Sequence, residues 1–73
     1  MFTLAFSGRR LRQKREAADL RREFIAVAID RSLGSIIAYE SGTIDPPASV
    51  VGRLAAVLDC SPADFYERQV VAA

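Results

Sequence analysis

Residues 20–42 read LRREFIAVAIDRSLGSIIAYESG, and this stretch decides the fold. Its first ten residues place apolar side chains at helical spacing, which predicts a short helix. Ser32 follows after a very short connection and can cap another helix, which should end near Gly42, the usual residue for a left-handed helix end. Two short helices joined by about four residues predict a helix-turn-helix pair. The residues predicted to face inward are Ile25, Ala26, Ile29, Ile36 and Tyr39.

Three further helices flank this pair in the sequence. Each begins at residues suited to a helix start: a serine before the first and the last, and Asp45 or the proline pair after it before the fourth. The last start is the clearest, because Ser61 is followed by Pro62 and by Asp64 in the first turn. The predicted ranges are 7–18 for the first helix, 45–58 for the fourth and 61–70 for the fifth.

The first six residues predict an extended segment instead of a helix. Phe2, Leu4 and Phe6 alternate with smaller or flexible residues, which is the two-residue period of a strand. We interpret residues 1–6 as an extended N-terminal arm and residues 7–70 as a single helix-turn-helix domain. The arm either packs its aromatic rings on the domain's own core or pairs as a strand with another subunit.

Length and composition limit the chain to one small domain and argue against several functions. The chain has 73 residues, of which 51% are apolar, and this suffices for one core. Cys60 is the single cysteine, and the chain has no histidine to activate it. Without a nucleophile-base pair or a cluster of metal ligands, we expect no enzyme activity, no cofactor and no metal. Without a long apolar run or a secretory signal, we expect a cytoplasmic protein with no membrane contact.

Charge is divided unevenly between the two halves of the sequence. Residues 1–36 carry eight Lys or Arg against four Asp or Glu, a balance of +4, whereas residues 37–73 carry two against five, a balance of −3. A basic half in a nearly neutral domain can present a surface to phosphates, although a solvated charged face is about as common. Charge alone therefore leaves a nucleic-acid partner open without requiring one.

Several short motifs, taken in their order and spacing, resemble a known family. From Arg9 to Phe65 the sequence is similar to the phage-repressor and Cro-like helix-turn-helix domains of the xenobiotic-response-element type. The stretches that carry the resemblance are LRQKREAADL at 11–20, Ala26, Ser32, YESG at 39–42, Pro46 and LAAVLDCSPADFY at 54–66. The resemblance implies an all-α, five-helix, lambda-repressor-like DNA-binding domain with the helix-turn-helix at helices two and three. It also implies double-stranded DNA as the partner of a homodimer.

The resemblance implies roles for several charged and polar side chains. Arg15 and Glu40 match the positions of an ion pair that, in the family, ties the first helix to the end of the third. Arg22 matches a glutamine that meets the phosphate backbone in the family, and an arginine there suits an anion at least as well. The residues predicted to contact phosphates are Arg21, Arg22, Arg31, Ser32 and Thr43, with Arg9 and Arg10 as further cations of this clamp.

The positions that contact bases in the family carry unusual residues here. They match Leu33, Gly34, Ser35, Ile37 and Ala38. The family commonly has Gln, Arg, Asn, Ser or Thr at these positions, whereas here only Ser35, together with Ser32, can hydrogen-bond a base edge. Methyl groups of Ile37 and Ala38 can pack on the C5-methyl group of thymine, and Gly34 lets the backbone approach closely. We therefore expect direct readout of the bases to be weak. Specificity should then depend also on flanking residues, DNA deformability or a partner.

Three functions follow from these residues, the third of them an architectural DNA binder with little sequence preference. The first is a DNA-binding transcriptional regulator of bacterial or phage type, which acts as a dimer and represses by occupying a promoter. The second is a protein-interaction module on the same fold, such as an antitoxin-like or co-regulator subunit. The second hypothesis rests on the extra apolar surface expected at Phe2, Leu4, Phe24, Leu33 and Ile37.

Overall fold

Four α-helices, a single 3-10 turn and two β-strands make up residues 1–70, the range that the computed structural model describes. In chain order they are β1 (Phe2–Phe6), α1 (Gly8–Ala17), α2 (Arg22–Ala28), α3 (Leu33–Ser41), α4 (Ala48–Val57), the 3-10 turn (Pro62–Phe65) and β2 (Tyr66–Val70). The longest helices have ten residues, and no helix within residues 1–70 is long and apolar enough to cross a membrane.

The helix ends are set by residues that accept a left-handed backbone. Gly42 follows α3 with φ of 80°, as the sequence predicts. The other three α-helices are each followed by an aspartate in the same conformation, with φ of 56° at Asp19, 56° at Asp30 and 53° at Asp59. Aspartate tolerates this region better than most residues with a side chain, so it can replace glycine at a helix stop. These stops keep the connections short.

The helices pack around one core. All five residues predicted to face inward are buried, including Ile36, which is 0% exposed. Phe24 and Val27 lie off the inward stripe of α2 and are 54% and 83% exposed, so α2 buries one face only. The other buried apolar residues are Leu11, Val50, Val51, Leu54, Ala55 and Phe65.

The predicted fifth helix over 61–70 is wrong. The start signals of Ser61 and Asp64 do form a capping box, but the turn that they begin lasts only from Pro62 to Phe65. Phe65 is fully buried, and its carbonyl accepts a hydrogen bond of 2.7 Å from the backbone N–H of Ser7. From Tyr66 onward the backbone is extended and pairs with β1. The fold is therefore mostly helical with a small two-stranded sheet, because a tertiary strand partner overrides the local helix signal.

The strands β1 and β2 form an antiparallel ribbon within one chain. Phe2 lies opposite Val70 and Phe6 lies opposite Tyr66. The ring centroids of Phe6 and Phe65 are 5.8 Å apart, and this contact joins the ribbon to the core. The first residues are thus extended, as the alternation predicts, and their strand partner is the chain's own C-terminal segment.

Candidate nucleic-acid interface

A buried carboxylate ties the first three helices together. Glu40, near the end of α3, accepts hydrogen bonds from Arg15 of α1, with Nε 2.6 Å from Oε2 and Nη2 3.2 Å from Oε1. Arg22, the first residue of α2, donates from Nε to the same Oε1 at 2.9 Å. The side chains of Arg15 and Glu40 are 9% and 4% exposed, whereas that of Arg22 is 39% exposed. Two cations therefore share one anion, and the outer cation still faces solvent.

The electrostatics of this cluster favour its charged form. The hydrogen bond to Glu40 raises the pKa of Arg15 above its ordinary value, against the effect of burial. Burial alone would raise the pKa of Glu40, but the hydrogen bonds and charges of Arg15 and Arg22 outweigh it and hold that pKa below its ordinary value. Glu40 therefore stays ionised at neutral pH, and the cluster has a net charge of +1 at its solvent-facing edge.

Gly8 allows α1 to approach the end of α3, and sequence reasoning did not single it out. A Cβ atom built on Gly8 would lie within 3.0 Å of the backbone carbonyl oxygens of Tyr39 and Glu40. Any side chain there would separate the two helices and thereby disturb the Arg15–Glu40 pair. The only sequence signal is a glycine directly after the capping Ser7, which does not reveal which helix crosses there.

The predicted base-contacting residues lie together on the outer side of α3. Leu33 and Ile37 are 40% and 49% exposed and, being four residues apart, lie on the same side of the helix. Gly34 is exposed, and Ser35 and Ala38 are partly exposed beside them. All five residues are thus at least partly exposed on α3, and we call them together the α3 outer face (Leu33, Gly34, Ser35, Ile37 and Ala38).

The hydroxyl groups around the α3 outer face bond largely to the protein itself. Ser32 caps the helix by accepting from the backbone N–H of Ser35 at 3.1 Å, and its Oγ also lies 2.9 Å from the Oγ of Ser35. Ser41 Oγ donates to the carbonyl of Ala38 at 3.1 Å and lies 2.8 Å from Oγ1 of Thr43. The side chains left facing solvent on the outer face are therefore predominantly apolar.

The predicted phosphate-contacting cations lie near both ends of α3. Arg31 directly precedes the capping Ser32 and is exposed, with one Nη atom donating to the carbonyl of Asp30 at 3.0 Å. At the other end, Arg22 is bonded to Glu40, and the exposed Arg21 precedes it in the chain. Neither Arg21 nor Arg31 forms a salt bridge with any residue of the range 1–70. Each can therefore pair with an external anion.

Arg9 and Arg10 are engaged elsewhere. Both form salt bridges with Glu67 of β2, Arg10 through its Nε at 3.0 Å. Arg10 also donates to the carbonyl of Tyr66 at 2.9 Å. These two arginines attach the ribbon to α1 through Glu67, and their part in a phosphate clamp stays a prediction. The prediction missed this role because it placed a helix, instead of β2, after Phe65.

Comparison with known structures finds chains with a similar fold. The chain is similar to the restriction-modification controller protein C.AhdI from Aeromonas hydrophila, with a TM-score of 0.76 and 28% identity over 80% of this chain and 88% of that one. It is also similar to the P22 c2 repressor protein solved in complex with synthetic operator 9T in the presence of Tl+, with a TM-score of 0.74 and 24% identity over the same shares. The second likeness concerns the fold alone. No curated protein sequence matches the chain significantly.

These findings define the class of protein, a helix-turn-helix DNA-binding transcriptional regulator. The chain belongs to the helix-turn-helix domain family, whose sequence model matches residues 8–66. The resemblance found in the sequence is therefore confirmed at the level of the family.

Proposed function

We propose that this regulator places α3 in the major groove of double-stranded DNA and represses transcription by occupying a promoter. The helix-turn-helix is the pair α2 and α3, and the residues of the α3 outer face meet the base edges. The observation that carries the proposal is the exposed α3 outer face with cations at both of its ends. A DNA-reading helix needs this arrangement, because base contacts specify the site and phosphate contacts position the protein.

The dimensions of α3 fit a groove. An α-helix with its side chains is about 10–12 Å across, which matches the ~12 Å width of the major groove. Arg31 at one end and Arg22 at the other can then reach phosphates on the two sides of the groove. Ser32 and Thr43 add hydroxyl groups near the same two ends, as the resemblance implies for phosphate contacts.

Arg22 can serve the fold and the DNA together. Its Nε is used by Glu40, while its two terminal nitrogens form no hydrogen bond with the part of the chain that the structure describes. A guanidinium held in this way keeps two donors for a phosphate oxygen and loses little conformational freedom on binding. Arg21 has no such anchor and contributes mainly through charge.

The proposed active form is a homodimer on a site with two-fold symmetry. Two copies would place two α3 helices in successive major grooves about one helical turn apart. In this proposal residues 7–70 act as the DNA-binding domain and residues 1–6 as the extended arm that completes the ribbon. A titration that gives two chains per duplex supports the dimer, and one chain per duplex argues against it.

Salt dependence tests the proposal directly. Fluorescence anisotropy of labelled duplexes would be measured at two salt concentrations, first with a random pool and then with a sequence enriched from it. We expect tighter binding of the enriched sequence at physiological salt and a steep loss of affinity as salt rises. Arg21→Ala should reduce the slope of log affinity against log salt concentration by about one unit per chain. Arg53→Ala is the matched control. Arg53 belongs to α4 and binds the carbonyl of Ile29.

A protein-interaction module is the second candidate, and a specific observation favours it. Phe24, Val27 and Ile44 are 54%, 83% and 54% exposed, which adds apolar area beyond the α3 outer face. Binding to a protein through this area should change little with salt. Absence of any DNA affinity, together with a salt-insensitive complex with a purified protein, would favour this candidate over the regulator.

A further inference from the structure

We propose that the α3 outer face recognises the C5-methyl groups of pyrimidines, so that the bases it selects are thymine and, at the same positions, 5-methylcytosine. This inference deepens the proposed function and rests on it. It concerns which chemical group on the DNA the protein selects, whereas the proposed function concerns only that α3 enters the groove.

The helix α3 has few side-chain groups left that can hydrogen-bond a base. Glu40 is 4% exposed and saturated by two arginines, and Tyr39 is buried. Ser32 and Ser35 are bonded to each other, so one of their two hydroxyl protons is used internally. One remaining proton cannot form the bidentate contacts by which arginine recognises guanine or glutamine recognises adenine.

The apolar surface of α3 has a raised ridge beside a low row. Leu33 and Ile37 form a ridge of two branched side chains on one side of α3. Gly34 and Ala38, each one residue further along, form a parallel row with little or no side chain. A Cβ added to Gly34 would meet only Ser32 Oγ, at 3.8 Å, so the space beside the ridge is open. The open space beside the ridge can receive a methyl group.

The major groove of DNA offers such a surface one kind of apolar group. Among the groups that base pairs present in the major groove, the C5-methyl of thymine is the apolar one, and the others are hydrogen-bond donors and acceptors. A surface made of Leu33, Ile37 and Ala38 gains free energy by covering that methyl and gains nothing from a bare acceptor. 5-Methylcytosine carries the same methyl at the same ring position, so the surface should accept it where it rejects cytosine.

The test removes the methyl groups while leaving base pairing intact. The enriched duplex would be synthesised once with thymine and once with deoxyuridine at every thymine position, and anisotropy would give the affinity ratio of the two. Covering one methyl group corresponds to about a fourfold change in affinity, and one methyl in each half-site of a dimer to about sixteen-fold. We expect the thymine duplex to bind at least fourfold more tightly.

Variants of the protein show whether the α3 outer face causes the affinity ratio between the thymine and uracil duplexes. Ile37→Ala should reduce the thymine-to-uracil ratio towards one, because the partner of the methyl has been shortened. Leu4→Ala is the control, since Leu4 is 62% exposed on β1 and should leave the ratio unchanged. A ratio that stays the same in Ile37→Ala would overturn the inference, since the methyl groups would then act through DNA shape.

A second arm extends the test to cytosine. Single deoxyuridine substitutions would locate the sensitive thymines, and each such T·A pair would be replaced by C·G or by 5-methylcytosine·G. We expect about fourfold tighter binding of the methylated form at those positions. Equal affinity for thymine and uracil duplexes, with the enriched sequence still preferred over the pool, would overturn this inference and leave the proposed function standing. Absence of preference for any sequence would overturn both.

Discussion

Ile36 and Ile37 are neighbours on α3 with opposite surroundings. Ile36 is 0% exposed in the core, whereas Ile37 is 49% exposed on the α3 outer face. The inner side of the helix is held by close contacts: the core side chains, the Glu40 ion pairs and the contact of Gly8 with its backbone. The outer side makes few contacts within the chain. The fold therefore does not depend on the residues that we propose to contact bases, so those residues can diverge without loss of the fold.

The largest effect should follow from breaking the buried ion pair on the inner side. Glu40→Gln leaves the guanidinium of Arg15 buried without its anion, which typically costs about 3–5 kcal/mol in the free energy of unfolding. Urea denaturation would measure this loss in the free energy of unfolding. Arg22→Ala removes the more exposed partner and should cost less than about 1 kcal/mol. Equal losses in the two variants would contradict the view that Arg15 and Glu40 form the structural pair.

The same pair predicts a pH dependence. Because the pKa of Glu40 is lowered in the folded state, its contribution to stability is fully present above the pKa of an unfolded glutamate. That contribution is lost as pH falls through the folded-state pKa. The stability difference between the wild type and Glu40→Gln should therefore shrink progressively at acid pH, below about 4.3. A difference that stays constant down to pH 2 would contradict this assignment.

The two isoleucines offer the next comparison. Ile36→Ala should cost about 2–5 kcal/mol, because it opens a cavity in the core. Ile37→Ala removes the same atoms from a half-exposed position and should change the free energy of unfolding much less, by about 0.5–1 kcal/mol. Thermal unfolding of both variants measures the contrast. Similar losses would mean that the outer side of α3 is packed against something in the folded protein.

Two glycines compare a backbone position that is crowded, Gly8, with one that is open, Gly52. Gly8→Ala should destabilise the protein by about 1–3 kcal/mol, because its Cβ would overlap the backbone of α3. Gly52→Ala in α4 is the matched control, since nothing lies within 4 Å of its added Cβ. An alanine in a helix interior should stabilise there by up to about 1 kcal/mol. Opposite signs for the two variants are the expected result, and equal signs would contradict the account of Gly8.

The smallest effect concerns the turn between α2 and α3. Asp30 has φ of 56°, a conformation that glycine adopts without strain. Asp30→Gly should therefore raise the free energy of unfolding or leave it unchanged, with a gain of up to about 1 kcal/mol. Asp30→Val should lower it by about 1–2 kcal/mol, since a β-branched residue is disfavoured there. Chemical denaturation of the two variants checks the sign.

Much of the helical part could be predicted because its signals are local. Ser7 and Ser32 mark helix starts by their capping hydroxyl groups, and Gly42 marks a helix end by its left-handed backbone. The apolar spacing gives the inward face of α2 and α3. The contact between Arg15 and Glu40 came from the family resemblance, since no local rule joins residues 25 positions apart.

The rest could not be predicted because it depends on tertiary partners. A helix start at Ser61 is visible in the sequence, but the strand that ends the turn exists only because β1 lies beside it. The roles of Gly8, Arg9 and Arg10 follow from what those residues meet: the end of α3 for Gly8 and β2 for the two arginines. At the candidate site, the sequence identified which residues could face DNA, and the structure added that the serine hydroxyls are bonded to each other.

The central claim is that the α3 outer face binds DNA while the inner side holds the fold, and Ile37→Glu tests it most directly. The variant places a negative charge among the apolar residues without touching the core. We predict that the free energy of unfolding falls by no more than about 1 kcal/mol, as expected for Ile37→Ala, and that affinity for the enriched duplex at physiological salt falls at least tenfold. Gln69→Glu on β2, with the same change of charge, should bind as the wild type does. Equal DNA affinity of Ile37→Glu and the wild type would contradict the account.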